Sequence, residues 1–234
     1  MKKSTILSVL LFISALNTNA QNGPIYTMNT MKTSTLVSQH NVNSDVDSII
    51  FDAPTISNPS GGSFTDSRDG NVYSWVTIGK QVWMAENLKY LPSVAGPGTG
   101  SVSTAYYYVY EYNGTDVNAA KATSNYTTYG VLYNWAAAMA GSASSSTNPS
   151  GVQGVCPTGL HLPSDAEWTE LIDYLGGGAS VAGGKLKEIG ATHWSSPNTG
   201  ATNETGFTAL PGGYRFNNGK FNGIGNYGSW WSAT

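Results

Sequence analysis

Apolar and polar positions follow the two periods of regular structure in several places, most completely between Gly154 and Gly178, GVCPTGLHLPSDAEWTELIDYLGGG. Trp168, Leu171, Ile172 and Leu175 fall at i, i+3, i+4 and i+7, which makes one apolar stripe on a helix. Ser164 followed by Glu167 predicts a capping box, each side chain satisfying a backbone donor of the other. Pro163 sets the approach, and Asp165 and Glu167 place negative charge where the helix dipole favours it. Gly176 to Gly178 then supply the left-handed residue that ends a helix.

The period of two appears upstream. From Asn71 to Ile78, Val72, Ser74, Val76 and Ile78 share one face, with Tyr73, Trp75 and Thr77 on the other. Gly79-Lys80 turns the chain and Gln81 to Met84 runs back, which predicts a β-hairpin. After the Pro- and Gly-rich loop from Leu91 to Ser103, Ala105 to Tyr112 predicts a strand with Tyr106, Tyr108, Tyr110 and Tyr112 on one side. Such a ladder suits either a sugar-stacking platform or a half-buried sheet face. Tyr129 to Ala140 carries Leu132, Trp135, Ala136 and Met139 at helical spacing, with Gly141 as the stop. A short amphipathic piece, Lys185 to Ile189, precedes a long loop, THWSSPNTGATNETG. The final section reads as strands around an Asn218-Gly219 turn. No repeat of solenoid length is present.

The two ends of the picture come from composition. Lys2 and Lys3, the apolar run Ile6 to Leu16 and the small residues Thr18-Asn19-Ala20 predict a secretory signal peptide over residues 1–20, cleaved after Ala20. No cysteine stands at the cleavage region, which argues against a lipid anchor. Residues 21–65 are polar and aperiodic apart from the strand-like Asp47 to Phe51, and read as a tail or linker. The folded domain is expected over residues 66–234. With 11 Lys and Arg, scattered, against 14 Asp and Glu, nucleic acid and anionic membrane surfaces are poor partners. No later stretch approaches the roughly 18 apolar residues of a spanning helix, so no transmembrane segment is expected.

Candidate chemistry is sparse. The single cysteine, Cys156, lies near His161, but an exported protein more readily explains it as half of a disulfide than as a nucleophile. Zinc would need three or four suitably spaced ligands, which are missing. Asp45 with Asp47, and Asp66 with Asp69 and Asn71, fall short of a calcium loop and read as a solvated tail and a plain turn. There is no phosphate-binding glycine motif and no nucleophile elbow, so no catalytic set, metal site or cofactor is expected. What remains are aromatic and amide side chains in loops: Trp194, Asn198, Asn203, Glu204, Tyr214 and Trp230, with Asn217 and Asn218 nearby. Aromatic faces beside amides suit a polar, ring-shaped ligand such as a glycan, and equally suit a loop folded on itself. The expected function is a secreted or cell-surface, non-catalytic binding or adhesion module whose partner is a polysaccharide or another surface protein. The alternatives are a vestigial enzyme-like fold with residual hydrolytic or oxidative activity, and a purely structural surface segment.

Five phrases, in this order, add a resemblance: DGNVYSWVTIGKQVWMAENLKY, YGVLYNWAAAMAG, GVCPTGLHLPSDAEWTEL, AGGKLKE and NETGFTALPGGYRFNNGKF followed by SWWSAT. They closely resemble the Fibrobacter succinogenes major paralogous domain, a family of secreted and surface proteins of Bacteroidetes- and Fibrobacteres-type bacteria. The piece HLPSDAEW is similar to the helix start of formylglycine-generating-enzyme-like proteins. The resemblance implies an α+β, C-type-lectin-like fold: two helices packed on a small antiparallel sheet with long loops. It also implies a last strand, missing from this chain, that carries a second cysteine positioned to bridge to Cys156. The cysteine pair of formylglycine-generating enzymes and the calcium motifs of sugar-binding C-type lectins are not matched, and the family implies no particular activity.

Overall fold

A computed structural model describes residues 11–16, 25–32 and 35–41 as backbone strands, and residues 61–234 with side chains, that of Ala179 excepted. The chain divides into two units, Met1–Thr55 and Ile56–Thr234. The first contains β1 (Leu11–Leu16), β2 (Ile25–Lys32) and β3 (Thr35–Asn41), an antiparallel sheet in that order. The signal cleavage point after Ala20, the Asp45 and Asp47 pair and the strand-like Asp47 to Phe51 lie outside the described residues.

The second unit is mixed α/β, with small antiparallel sheets and short helices. The hairpin expected from alternation forms as β5 (Val72–Ile78) and β6 (Gln81–Met84), with Gly79 in the left-handed region. Gly61–Thr65, the end of the stretch read as a linker, adds a third strand, β4, on the far side of β5. Both faces of β5 are covered in part, since Tyr73 is buried on one and Val76 and Ile78 on the other, while Val72 is exposed.

Three sequence expectations are corrected. The tyrosine strand is only Tyr107–Tyr108 (β7), paired with Leu132–Tyr133 (β8). Glu111 adopts a left-handed φ of 59° and the Tyr112 N–H donates to the Val109 carbonyl at 3.0 Å, so the chain turns before the alternation can continue. The tyrosines spend their hydroxyls on main-chain carbonyls, Tyr108 on Thr99 at 2.6 Å and Tyr112 on Asp116 at 3.0 Å. They pin loops, as half-buried tyrosines do.

The helix expected over Tyr129 to Ala140 is two pieces. After α1 (Val117–Lys121), α2 (Ser124–Tyr129) ends where Gly130 takes a φ of 75°, with its Cα packed on the Leu88 carbonyl so closely that a Cβ would sit 2.7 Å from that oxygen. Asn134 restarts the helix: its side-chain oxygen accepts from the Ala137 N–H and the Tyr106 N–H, and α3 runs Trp135–Met139. The piece Lys185 to Ile189 is likewise divided. Its start closes α5 (Ala179–Leu186), and Lys187 then runs extended beside Ala209.

The central helix forms as expected. α4 covers Asp165–Tyr174, with Ser164 as N-cap and both halves of the capping box made with Glu167. Gly176, Gly177 and Gly178 all have positive φ, and the Gly177 N–H closes the last turn on the Ile172 carbonyl at 3.0 Å. Leu171 and Leu175 are buried in a core with Val76, Ile78, Ala182, Phe207 and Ala209, and Trp168 and Ile172 pack at its edge. The Asn218-Gly219 turn joins β9 (Gly212–Arg215) to β10 (Phe221–Ile224). Among the described residues, no helix is long and apolar enough to cross a membrane.

Candidate functional site

A cavity of about 610 Å³ opens between β6, the start of α4, the loop before it, the Phe207 to Gly213 segment and the Ser229 to Trp231 segment. A run of aromatic rings lines it. Trp83 on β6 meets Trp168 on α4 with ring centres 4.7 Å apart, and reaches Phe207 at 6.2 Å. Phe207 in turn meets Trp230 edge-on at 6.1 Å. Trp230 and Trp231 stay 41% and 44% exposed although their indole N–H groups are used, on the Asn87 side chain at 3.2 Å and the Tyr133 carbonyl at 2.7 Å. Large, exposed rings held in fixed orientation are the usual walls of a binding cleft.

Several polar side chains on the same walls are paired. Gln81 accepts from the Trp83 indole and donates to the Glu167 carbonyl. Glu170 accepts from Asn148 at 2.7 Å. Glu167 is 7% exposed, and its carboxylate takes the Ser164 N–H at 2.9 Å, the Ser150 N–H at 3.0 Å and His161 Nε2 at 2.5 Å. Burial raises the pKa of this carboxyl, but the Ser164 amide, His161 and the Ser150 amide together outweigh it and hold the group below its ordinary value. The sequence foresaw the cap and missed Ser150, which is 17 residues away.

Cys156 lines the cavity beside His161 but makes no hydrogen bond to it, and it stands as a free thiol. Burial pushes its pKa up to about 11, against a small opposing pull from Arg68. A nucleophilic cysteine needs the opposite shift. Alkylation of Cys156 by iodoacetamide should therefore be slow at neutral pH and accelerate steadily towards pH 11; a fast reaction that levels off below pH 8, followed by intact mass, would contradict the buried setting. His193 pairs with Glu188 at 2.8 Å, far along the chain from His161. Among the described residues, no three His, Cys, Asp or Glu side chains come together in a way that could hold a metal ion.

Of the six ligand residues expected from sequence, only Trp230 lines the cavity. Trp194 is half-buried, its indole donating to the Ala209 carbonyl at 2.9 Å with Lys187 over its ring. The Asn198 amide donates to the Glu188 and Gly190 carbonyls. Asn203 exchanges bonds with Thr208, and Glu204 pairs with Lys185 at 3.0 Å. These four hold the long loop to its own neighbours. Tyr214 belongs to a separate exposed cluster with Phe216 and Tyr227. Trp168 was legible only as part of the helix's apolar stripe, and Trp83 and Phe207 were not singled out, because their common cleft joins segments far apart in the chain.

No match is found among curated proteins or among solved structures. The sequence pattern of the Fibrobacter succinogenes major domain matches residues 76–234, a span that takes in the cleft's strand, helix and loops alike. On that match, which covers more than half of the chain, the protein belongs to the Fibrobacter succinogenes major domain family.

Proposed function

We propose that the protein is a non-catalytic binding or adhesion module of the cell exterior, on a C-type-lectin-like scaffold, with the aromatic cleft as its ligand surface. The observation that carries the reading is the line of four rings, Trp168, Trp83, Phe207 and Trp230, that lines a cavity of about 610 Å³. Walls made largely of aromatic and apolar side chains, whose carboxylates Glu167 and Glu170 are already hydrogen-bonded, suit a neutral polymer rather than a phosphate. The N-terminal pattern of lysines, apolar run and small residues supports export. Residual hydrolytic activity would have to use Cys156, His161 and Glu167, which share the cleft. The raised thiol and the fully engaged carboxylate count against it.

Arrays that carry neutral glycans and extended peptides side by side test the reading. Reproducible binding, reduced about tenfold or more in Trp168→Ala and Trp230→Ala proteins with native circular dichroism, is the expected result. Binding that survives in both variants would move the site off the cleft. Binding to neither array by an intact fold would leave a purely structural segment.

A further inference from the structure

Three Asn-Gly pairs lie among the described residues, at Asn113, Asn218 and Asn222, and their settings differ. In this dipeptide the side-chain amide and the following main-chain nitrogen approach each other most freely, because glycine has no Cβ to hold them apart. Two of the pairs are held. The Gly219 N–H donates to the Phe216 carbonyl at 3.0 Å, and the Asn218 side-chain oxygen accepts from the Lys220 N–H at 3.1 Å. Asn222 lies in β10 opposite Tyr214, and a Cβ on Gly223 would meet the Tyr214 and Tyr227 rings at 2.8 Å. Asn113 is free of such ties. It is exposed in the loop between β7 and α1, and neither its side-chain amide nor the Gly114 N–H has a partner among the described residues. None of residues 112–116 belongs to the β4–β6 sheet or lines the cleft. The loop nevertheless fixes its glycine. The Tyr112 hydroxyl donates across it to the Asp116 carbonyl at 3.0 Å, and a Cβ at residue 114 would sit 2.6 Å from that hydroxyl oxygen.

We propose that Asn113 is a modification site, at which the folded protein deamidates spontaneously in water while Asn218 and Asn222 are protected. The Gly114 nitrogen gives its proton to solvent and attacks the side-chain carbonyl carbon of Asn113. A carbon–nitrogen bond forms, the bond to Nδ2 breaks, and Nδ2 leaves as ammonia with a proton from water. Water then opens the five-membered imide at either carbonyl. The products are an aspartate and its isomer linked through the side chain, each one negative charge richer than the asparagine. Water is the sole co-reactant. The fold selects the residue because ring closure needs both groups free to turn. At Asn218 both are bonded within the hairpin turn. At Asn222 the rotation would break the pairing with Tyr214 and drive Gly223 against two rings. At Asn113 nothing opposes it, and the space beside Tyr112 admits no Cβ, so the loop keeps the glycine that makes the pair reactive.

Trypsin puts the three pairs on separate peptides: Tyr90 to Lys121, Phe216 to Lys220, and one that begins at Phe221. The purified protein is incubated at mildly alkaline pH, folded or in guanidinium chloride, and timed digests are read by mass spectrometry for conversion of amide to acid. In the folded protein Asn113 should convert about tenfold or more faster than Asn218 and Asn222. In denaturant the three rates should draw together, because the protection of the other two comes from the fold. Asn113→Gln should remove the fast conversion from the first peptide and leave the other two unchanged, since glutamine would have to close a larger ring. Folded-state rates within about twofold of one another overturn the proposal, as does an Asn113 rate about tenfold or more lower in the folded protein than in denaturant. So does fragmentation that maps the conversion in the first peptide to Asn118 instead of Asn113.

Discussion

Glu167→Ala is expected to destabilise the protein by about 3–5 kcal/mol. The side chain is buried, and it is the acceptor for two main-chain N–H groups, Ser164 and Ser150, as well as for His161. Removing it strands donors that have no water to turn to, and it undoes the capping box at the same time. The charge adds a pH signature. A carboxyl held below its ordinary value contributes stability that is fully present above the unfolded pKa, about 4.3, and is lost as the pH falls through the folded value. Urea denaturation at a series of pH values should therefore show stability falling away below about pH 4, with a shallower acid dependence in Glu167→Gln. A loss under about 1 kcal/mol in Glu167→Ala would mean that water replaces the carboxylate and that the start of α4 is more open than its burial indicates.

Leu171→Ala should cost about 2–5 kcal/mol, because the side chain has no exposed surface and lies at the centre of the core that joins α4 to the hairpin. The urea midpoint should drop with an unchanged slope, the mark of lost stability without a new unfolded state. Trp168, on the same stripe, ranks below it despite its size. It packs at the rim of that core and opens onto the cleft, so part of its ring has no packing to lose. Its substitution should show chiefly in binding. A Leu171→Ala protein with wild-type stability would show that the stripe has been turned the wrong way.

The signals that sequence carried well are those complete within a few residues. Ser164, Glu167, the stripe from Trp168 to Leu175 and the glycines after it specify a helix because each condition is met one turn from the next. Gly79-Lys80 and Asn218-Gly219 specify hairpins for the same reason. The five ordered phrases sufficed to place the chain in its family. Where a local pattern met a distant contact, the contact won. Helical spacing runs through Gly130, yet the Leu88 carbonyl lies against that glycine, and a glycine free to adopt positive φ turns away there.

The same division runs through the site. Trp194, Asn198, Asn203 and Glu204 have the composition of a ligand loop, and composition cannot say whether an amide faces a ligand or a carbonyl of its own loop. Tertiary packing decided that, giving their bonds to Ala209, Glu188, Gly190, Thr208 and Lys185. It also decided the cleft, whose walls are contributed by residues near 83, 168, 208 and 230. Helices, caps and turns are written at spacings of one to four residues and can be read from the chain. A cavity exists only once distant segments have packed around it.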